Sequence, residues 1–227
     1  MRIYYSGASP ANLRRAREHA PSHSHGYGWT PAKMCAHDCH YFVDSGGYSG
    51  FDMDEWIAAL ERATRELPRW PDFIVWPDVF GDALATRELC ESLFNRDAPL
   101  IARRQDLARY VVFQPGLPLD DLFKWARSMG ADGVFLGGPD RWQRTHGPEI
   151  VRRAHEHDWP VHLGNAGGED GLVWAYRTGF DSADTTSIMQ NGYWHYLDAL
   201  ERATDPEDGG VRNRAHEAGA QSAVTDW

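Results

Sequence analysis

The chain has 227 residues, 42% of them apolar and 12% aromatic, which suffices to bury one full core and fits the size of one large domain. A formal net charge of −10 excludes a protein that grips nucleic acid mainly by bulk positive charge, because such binding runs on counterion release. Three cysteines, no charged-then-apolar leader and no apolar run near the roughly 20 residues that span a bilayer point to a cytoplasmic protein with no disulfide framework and no membrane partner.

Short β-branched or aromatic runs recur at Arg2 to Ser6, Tyr41 to Asp44, Phe73 to Phe80, Tyr110 to Gln114, Gly133 to Leu136, Pro160 to Gly164 and Gly179 to Asp184, giving seven expected strands. Helical periodicity lies between them, at Pro10 to His19, Asp54 to Leu67, Asp82 to Asn95, Leu119 to Met129, Arg141 to His157, Glu169 to Thr178 and Tyr193 to Ala203. In the second of these, Trp56, Ile57, Leu60 and Leu67 share a face while Glu55, Arg62 and Arg65 face water. The segment from His19 to His37, rich in Ser, His, Gly and Pro, reads as a long loop, with His19, His23 and His25 as solvated residues.

Alternating strands and helices imply a parallel sheet with right-handed crossovers, and seven to eight units favour a closed barrel over an open doubly wound sheet. The expected fold class is α/β, a reduced TIM-like (β/α) barrel over residues 1–203. From Thr204 to Trp227 the chain is polar and Gly-rich, which suits a tail or an adjunct helix.

In a barrel, reactive groups collect where the C-terminal strand ends converge. Reading each strand to its end gives Asp44 in VDSGGY, Asp78 in WPDVF, Gln114 in VFQPG, Gly137-Gly138 in FLGG, Asn165 in HLGNAGG and Asp184 in FDSADTTS. Paired carboxylates suit chemistry at a glycosidic carbon, where one attacks and the other moves a proton on the leaving group, and neither role requires a metal or another cofactor.

Between about Tyr41 and Ser187 these motifs resemble, in order, the guanine transglycosylases that act on tRNA and their relatives that act on DNA. Asp44-Ser45-Gly46-Gly47 matches the family's DSGG. Asp78, Gln114 with Gly116, the Gly137-Gly138 pair and the late Gly179-Phe180-Asp181-Ser182-Ala183-Asp184 follow as that pattern requires. The chain departs from the family at Tyr48 and Ser49, where Phe and Gln are usual, and at Ala183, where an aromatic is common. It also has no cysteine after Cys90, so the zinc-binding extension of the tRNA enzymes is missing.

The resemblance implies Asp184 as nucleophile, Asp44 as general acid/base, and a base pocket built from Asp78, Gln114, Gly137, Gly138, Ser45, Tyr48 and Asn165. It implies exchange of guanine for a 7-deazaguanine such as the 7-cyano or 7-aminomethyl base, with DNA as the expected nucleic acid and tRNA as the alternative. A homodimer or a partner protein that helps hold the nucleic acid is a further expectation for so acidic a chain.

Plainer readings stand beside these. Asp44 suits a turn, Asp184 could cap a helix near Thr186 and Ser187, Gln114 could be an ordinary loop polar, and the glycine pair could be a tight turn. Asp181, three residues before Asp184, should face away from the mouth if Asp184 faces it. Cys35 to His40 lacks a second ligand pair for zinc. Arg103, Arg104, Arg141, Arg144, Arg152 and Arg153 could line a phosphate path or form a solvated helix face, and Tyr48, Trp76, Tyr193 and Trp194 could stack on a base or fill core. A hydrolase cutting the same bond with water, or a binding module on a decayed barrel, remain the rival functions.

Overall fold

The computed structural model describes residues 1–30, 39–46, 50–67, 69–95, 107–168 and 170–205. Among them, eight parallel strands close into a barrel: β1 (Arg2–Ser6), β2 (Ser24–Trp29), β3 (His40–Val43), β4 (Phe73–Val75), β5 (Arg109–Phe113), β6 (Gly133–Leu136), β7 (Val161–Leu163) and β8 (Ser182–Thr185). The helices are α1 (Pro10–His19), α2 (Met53–Glu66), α3 (Ala83–Asn95), α4 (Leu119–Ser128), α5 (Asp140–His155), α6 (Gly171–Thr178), α7 (Ser187–Asn191) and α8 (His195–Ala203). The expected TIM-like barrel is the fold. Among the described residues no helix is long and apolar enough to cross a membrane.

Helix starts follow local chemistry. Ser9 accepts from Asn12 N–H ahead of Pro10 in α1, and Asp52 accepts from Glu55 N–H at α2, each satisfying a donor that the helix cannot. Asp82 does the same for Ala85 N–H just before α3. The faces these helices turn inward, such as Trp56, Leu60 and Ala63 of α2, pack on the outward side chains of the strands, including Tyr5, Trp29, Val43, Ile74 and Trp76.

The barrel interior is a second, aromatic core. Tyr4, Phe42, Phe73, Val75, Tyr110 and Val112 are buried together with Phe135 against them. Phe73 stacks on Tyr110 at 4.0 Å and on Phe42 at 4.8 Å between ring centroids, while Tyr4 meets Phe42 edge-on at 5.0 Å. Such rings fill the barrel as packed layers, so chemistry is confined to its ends.

The eighth strand lies where a loop is expected. Ser24–Trp29 pairs with β1 and β3, and its glycines are a packing requirement: a Cβ on Gly26 would sit 2.5 Å from the His40 carbonyl oxygen and 2.9 Å from the Tyr4 ring. His23 and His25, expected in solvent, are buried. His25 stacks on Tyr5, hydrogen-bonds its hydroxyl at 2.9 Å through Nδ1, and reaches the Ala20 carbonyl through Nε2. His19 stacks on Trp194 and pairs with Asp198.

Other boundaries tighten for identifiable reasons. β4 stops at Val75, two residues before Pro77, which has no N–H to give to a ladder. β8 starts only at Ser182, because Gly179 closes α6 in the left-handed region at φ 97°. α7 was not expected from the sequence, and α8 begins at His195 rather than Tyr193. Residues 206–227 of the expected tail lie outside the described residues.

Candidate active site

Period-two alternation decides what reaches the C-terminal mouth. On β3, β5, β6 and β8 the series that points inward ends at Asp44, Gln114, Gly137 and Asp184. Asp78 follows β4 by three residues, and Asn165 follows β7 by two.

Asp44 and Asp184 are brought together. Asp44 is partly buried, and its carboxyl is pushed up to about 7, first by burial and then by the negative charges of Asp184 and Asp78. Its Oδ1 also accepts from Gly46 N–H at 3.3 Å, the local turn bond that Asp-Ser-Gly-Gly suits.

Asp184 caps no helix. Thr186 stands at the N-cap of α7 without a side-chain cap bond, and Asp184 Oδ1 instead accepts from His162 Nε2 at 3.1 Å and from Asn165 N–H at 3.0 Å. Its backbone carbonyl takes Ala166 N–H at 2.7 Å, tying the β7 turn to β8. Asn165 holds that turn at φ 53°, a left-handed conformation uncommon outside glycine and tolerated best by Asn and Asp. Asp181 lies at the other end of β8, where it accepts from Val161 N–H and faces His155.

Asp78 and Gln114 form a linked pair. Gln114 is 1% exposed, donates through Nε2 to Asp78 Oδ2 at 2.7 Å, and accepts Gly81 N–H at Oε1 at 3.0 Å. Burial raises the Asp78 carboxyl above its ordinary range, and the Gln114 bond opposes that shift. Gly137 makes room for this amide, since a Cβ there would come within 2.5 Å of Gln114 Nε2 and 2.9 Å of Val112. Gly138, at φ 85°, turns the chain beside Pro115 and Gln114 Oε1.

Ser45 is 2% exposed, and its Oγ makes no hydrogen bond among the described residues. Tyr48 lies outside the described residues, as do Gly47, Ser49, Arg103, Arg104 and Cys35 to Asp38. Trp76 is core at 1% exposure, closed to a base, whereas Tyr193 is exposed. Arg144 pairs with Asp140 and Asp170, Arg152 with Glu149 and Glu156, and Arg153 with Asp120, which fits a solvated helix face better than a phosphate path. No cluster of three or more His, Cys, Asp or Glu among the described residues could hold a metal ion.

A cavity of about 440 Å³ opens at the opposite end of the barrel, lined by Arg2, Tyr4, Ser24, Asp72, Tyr110 and Asp181. Several of its polar groups meet at Asp72, which takes Tyr4 Oη–H at 2.9 Å, His40 Nδ1 at 2.9 Å and Arg2 at 3.4 Å, while Arg2 Nε is buried without a hydrogen-bond partner among the described residues. In (β/α) barrels this end generally carries stability, whereas reactive groups gather at the C-terminal strand ends, where Asp44 and Asp184 lie.

His162 is the residue that sequence reasoning missed. Flanked by the outward Val161 and Leu163, it points into the barrel opposite Ser182 in the β7–β8 register. The alternation within VHL signals its inward direction, but its partner comes only from the register. No protein-family model matches the chain, and no curated protein matches it either.

Proposed function

We propose that this chain is a guanine transglycosylase that replaces guanine in DNA with a 7-deazaguanine base through a covalent intermediate on Asp184. The observation that carries the reading is the unlike pair of carboxylates at one mouth: Asp184 accepts two hydrogen bonds at a single oxygen, and Asp44 titrates near 7. A transferring glycosidic carbon needs that division between a nucleophile and a proton carrier.

In the first half-reaction a carboxylate oxygen of Asp184 bonds to C1′ as the C1′–N9 bond breaks. The electron pair goes to the guanine, which leaves neutral after taking the Asp44 proton. In the second half, Asp44 takes the N9 proton of the incoming 7-deazaguanine, whose nitrogen displaces Asp184 from C1′. A group titrating near 7 is available in both forms, and such proton transfer contributes about 10² to 10⁴ in rate. Asp78, ordered by Gln114, offers an acceptor for ring and amino N–H groups of the base.

A base inside a duplex must leave its stack to reach this mouth, at a cost of a few kcal/mol. The net charge of −10 gives DNA no bulk attraction, so a second copy or a partner protein supplies part of the grip on the strand. The test is incorporation of labelled guanine, 7-cyano- and 7-aminomethyl-7-deazaguanine into duplex DNA, single-stranded DNA and tRNA. Incorporation into DNA that Asp184→Ala and Asp44→Ala both abolish supports the reading, and incorporation into tRNA alone moves the substrate to tRNA. Release of guanine with no incoming base required replaces transglycosylation with hydrolysis.

A further inference from the structure

We infer that Asp184 attacks through Oδ2, and that His162, locked by Ser182, is the positioning residue that holds Oδ1 aside for this purpose. The inference rests on the transglycosylase reading and specifies which oxygen reacts and what aims it.

His162 is 0% exposed and boxed by aromatic rings, with Phe135 at 4.7 Å, Phe42 at 5.0 Å, Phe73 at 5.3 Å and Tyr4 at 5.8 Å between centroids. Both ring nitrogens are engaged, Nδ1 with Ser182 Oγ at 2.8 Å and Nε2 with Asp184 Oδ1 at 3.1 Å. An ionised carboxylate only accepts, so Nε2 carries the proton and Nδ1 accepts from the Ser182 hydroxyl. Burial lowers the imidazole pKa, in keeping with a neutral ring.

Oδ1 therefore has two fixed donors, His162 Nε2–H from β7 and Asn165 N–H from the turn that follows β7. Oδ2 takes no hydrogen bond among the described residues, which leaves its lone pairs for C1′. The step balances: the Oδ2–C1′ bond forms, the C1′–N9 bond breaks, and the departing base takes its pair together with the Asp44 proton. His162 neither gains nor loses a proton, and its contribution is to hold the carboxylate in the reactive rotamer.

Long-range ¹⁵N NMR of histidine-labelled protein reads the first link, and single-turnover adduct formation on DNA reads the second. The expected spectrum has His162 as the Nε2–H tautomer near neutral pH, with Ser182→Ala moving its Nδ1 resonance. In kinetics, His162→Phe slows adduct formation roughly 10²-fold while KM for the incoming base stays within about 2-fold. His162→Gln, which keeps a donor near Nε2, recovers about 10-fold of that loss. An Nδ1–H tautomer in the wild-type protein, or a folded His162→Phe variant at the wild-type rate, overturns the proposal. A wild-type protein that forms no adduct on any nucleic acid defeats the transglycosylase reading itself. The tautomer then still decides the hydrogen-bond assignment, with Nε2–H sustaining it and Nδ1–H overturning it.

Discussion

Gln114 donates to Asp78 at 2.7 Å while its own carbonyl oxygen is held at 3.0 Å by Gly81 N–H, so one buried amide joins the ends of β4 and β5 to the loop that begins α3. Its first duty is to order Asp78. Gln114→Leu keeps the volume and deletes both bonds, leaving the Gly81 N–H and the part-buried Asp78 carboxyl without them. The expected cost is about 1–3 kcal/mol in denaturant unfolding, accompanied by a raised KM for the base. An unchanged stability would mean that water satisfies these groups in place of Gln114.

Gly137 is expected to be intolerant because of Gln114 and not because of its backbone. Gly137→Ala puts a Cβ 2.5 Å from Gln114 Nε2 and 2.9 Å from Val112, at a cost of roughly 1–3 kcal/mol from overpacking. Combined with Gln114→Ala, which removes the obstructing amide, the two substitutions should together cost less than the sum of the single ones. Simple additivity in that double-mutant cycle would place the clash elsewhere.

Asp44 should make the fold less stable as pH rises. Its folded pKa of about 7 lies above the ordinary carboxyl value, so the folded state holds the extra proton between those limits and its stability falls as pH climbs from about 4 to 7. Asp44→Asn removes that cost. The variant should gain on the order of 1–2 kcal/mol at about pH 8, gain little near pH 4, and lose exchange activity at both. An equal effect on stability at the two pH values would contradict the burial of this carboxyl.

The buried histidines give the opposite slope. Burial, with the nearby N-terminus, lowers His23 to about 4, and burial lowers His25 as well. The unfolded chain then takes up protons that the folded chain refuses, so stability drops as pH falls from about 6.5 toward 4. His23→Gln should flatten that part of a melting-temperature profile, and a profile identical to wild type would mean that His23 is solvated.

The barrel is legible because six strands carry β-branched or aromatic side chains on a regular spacing with helices between, and a seventh, β8, is expected from Gly179 to Asp184, where it begins three residues later, at Ser182, and ends at Thr185. β2 is not legible, since Ser24-His25-Gly26-Tyr27-Gly28-Trp29 has the composition of a loop. Its glycines are there to admit the Tyr4 and Phe42 rings, a demand made by other strands and invisible within the segment itself. Asp44 and Asp184 could be read from their places at strand ends. His162 could not, because its partners Ser182 and Asp184 are set by the register of β7 on β8, which no pattern along the chain contains. Gln114 was read as a base contact, and its bond to Asp78 likewise depends on two strands meeting.

The most direct test of the central claim is peptide mapping of protein trapped on a guanine-containing DNA strand during turnover. Transglycosylation through the proposed nucleophile predicts a sugar-linked DNA adduct on Asp184 that disappears when a 7-deazaguanine is supplied and is absent from Asp184→Asn. Base exchange or release that proceeds with no adduct, or with the adduct on another residue, would contradict it.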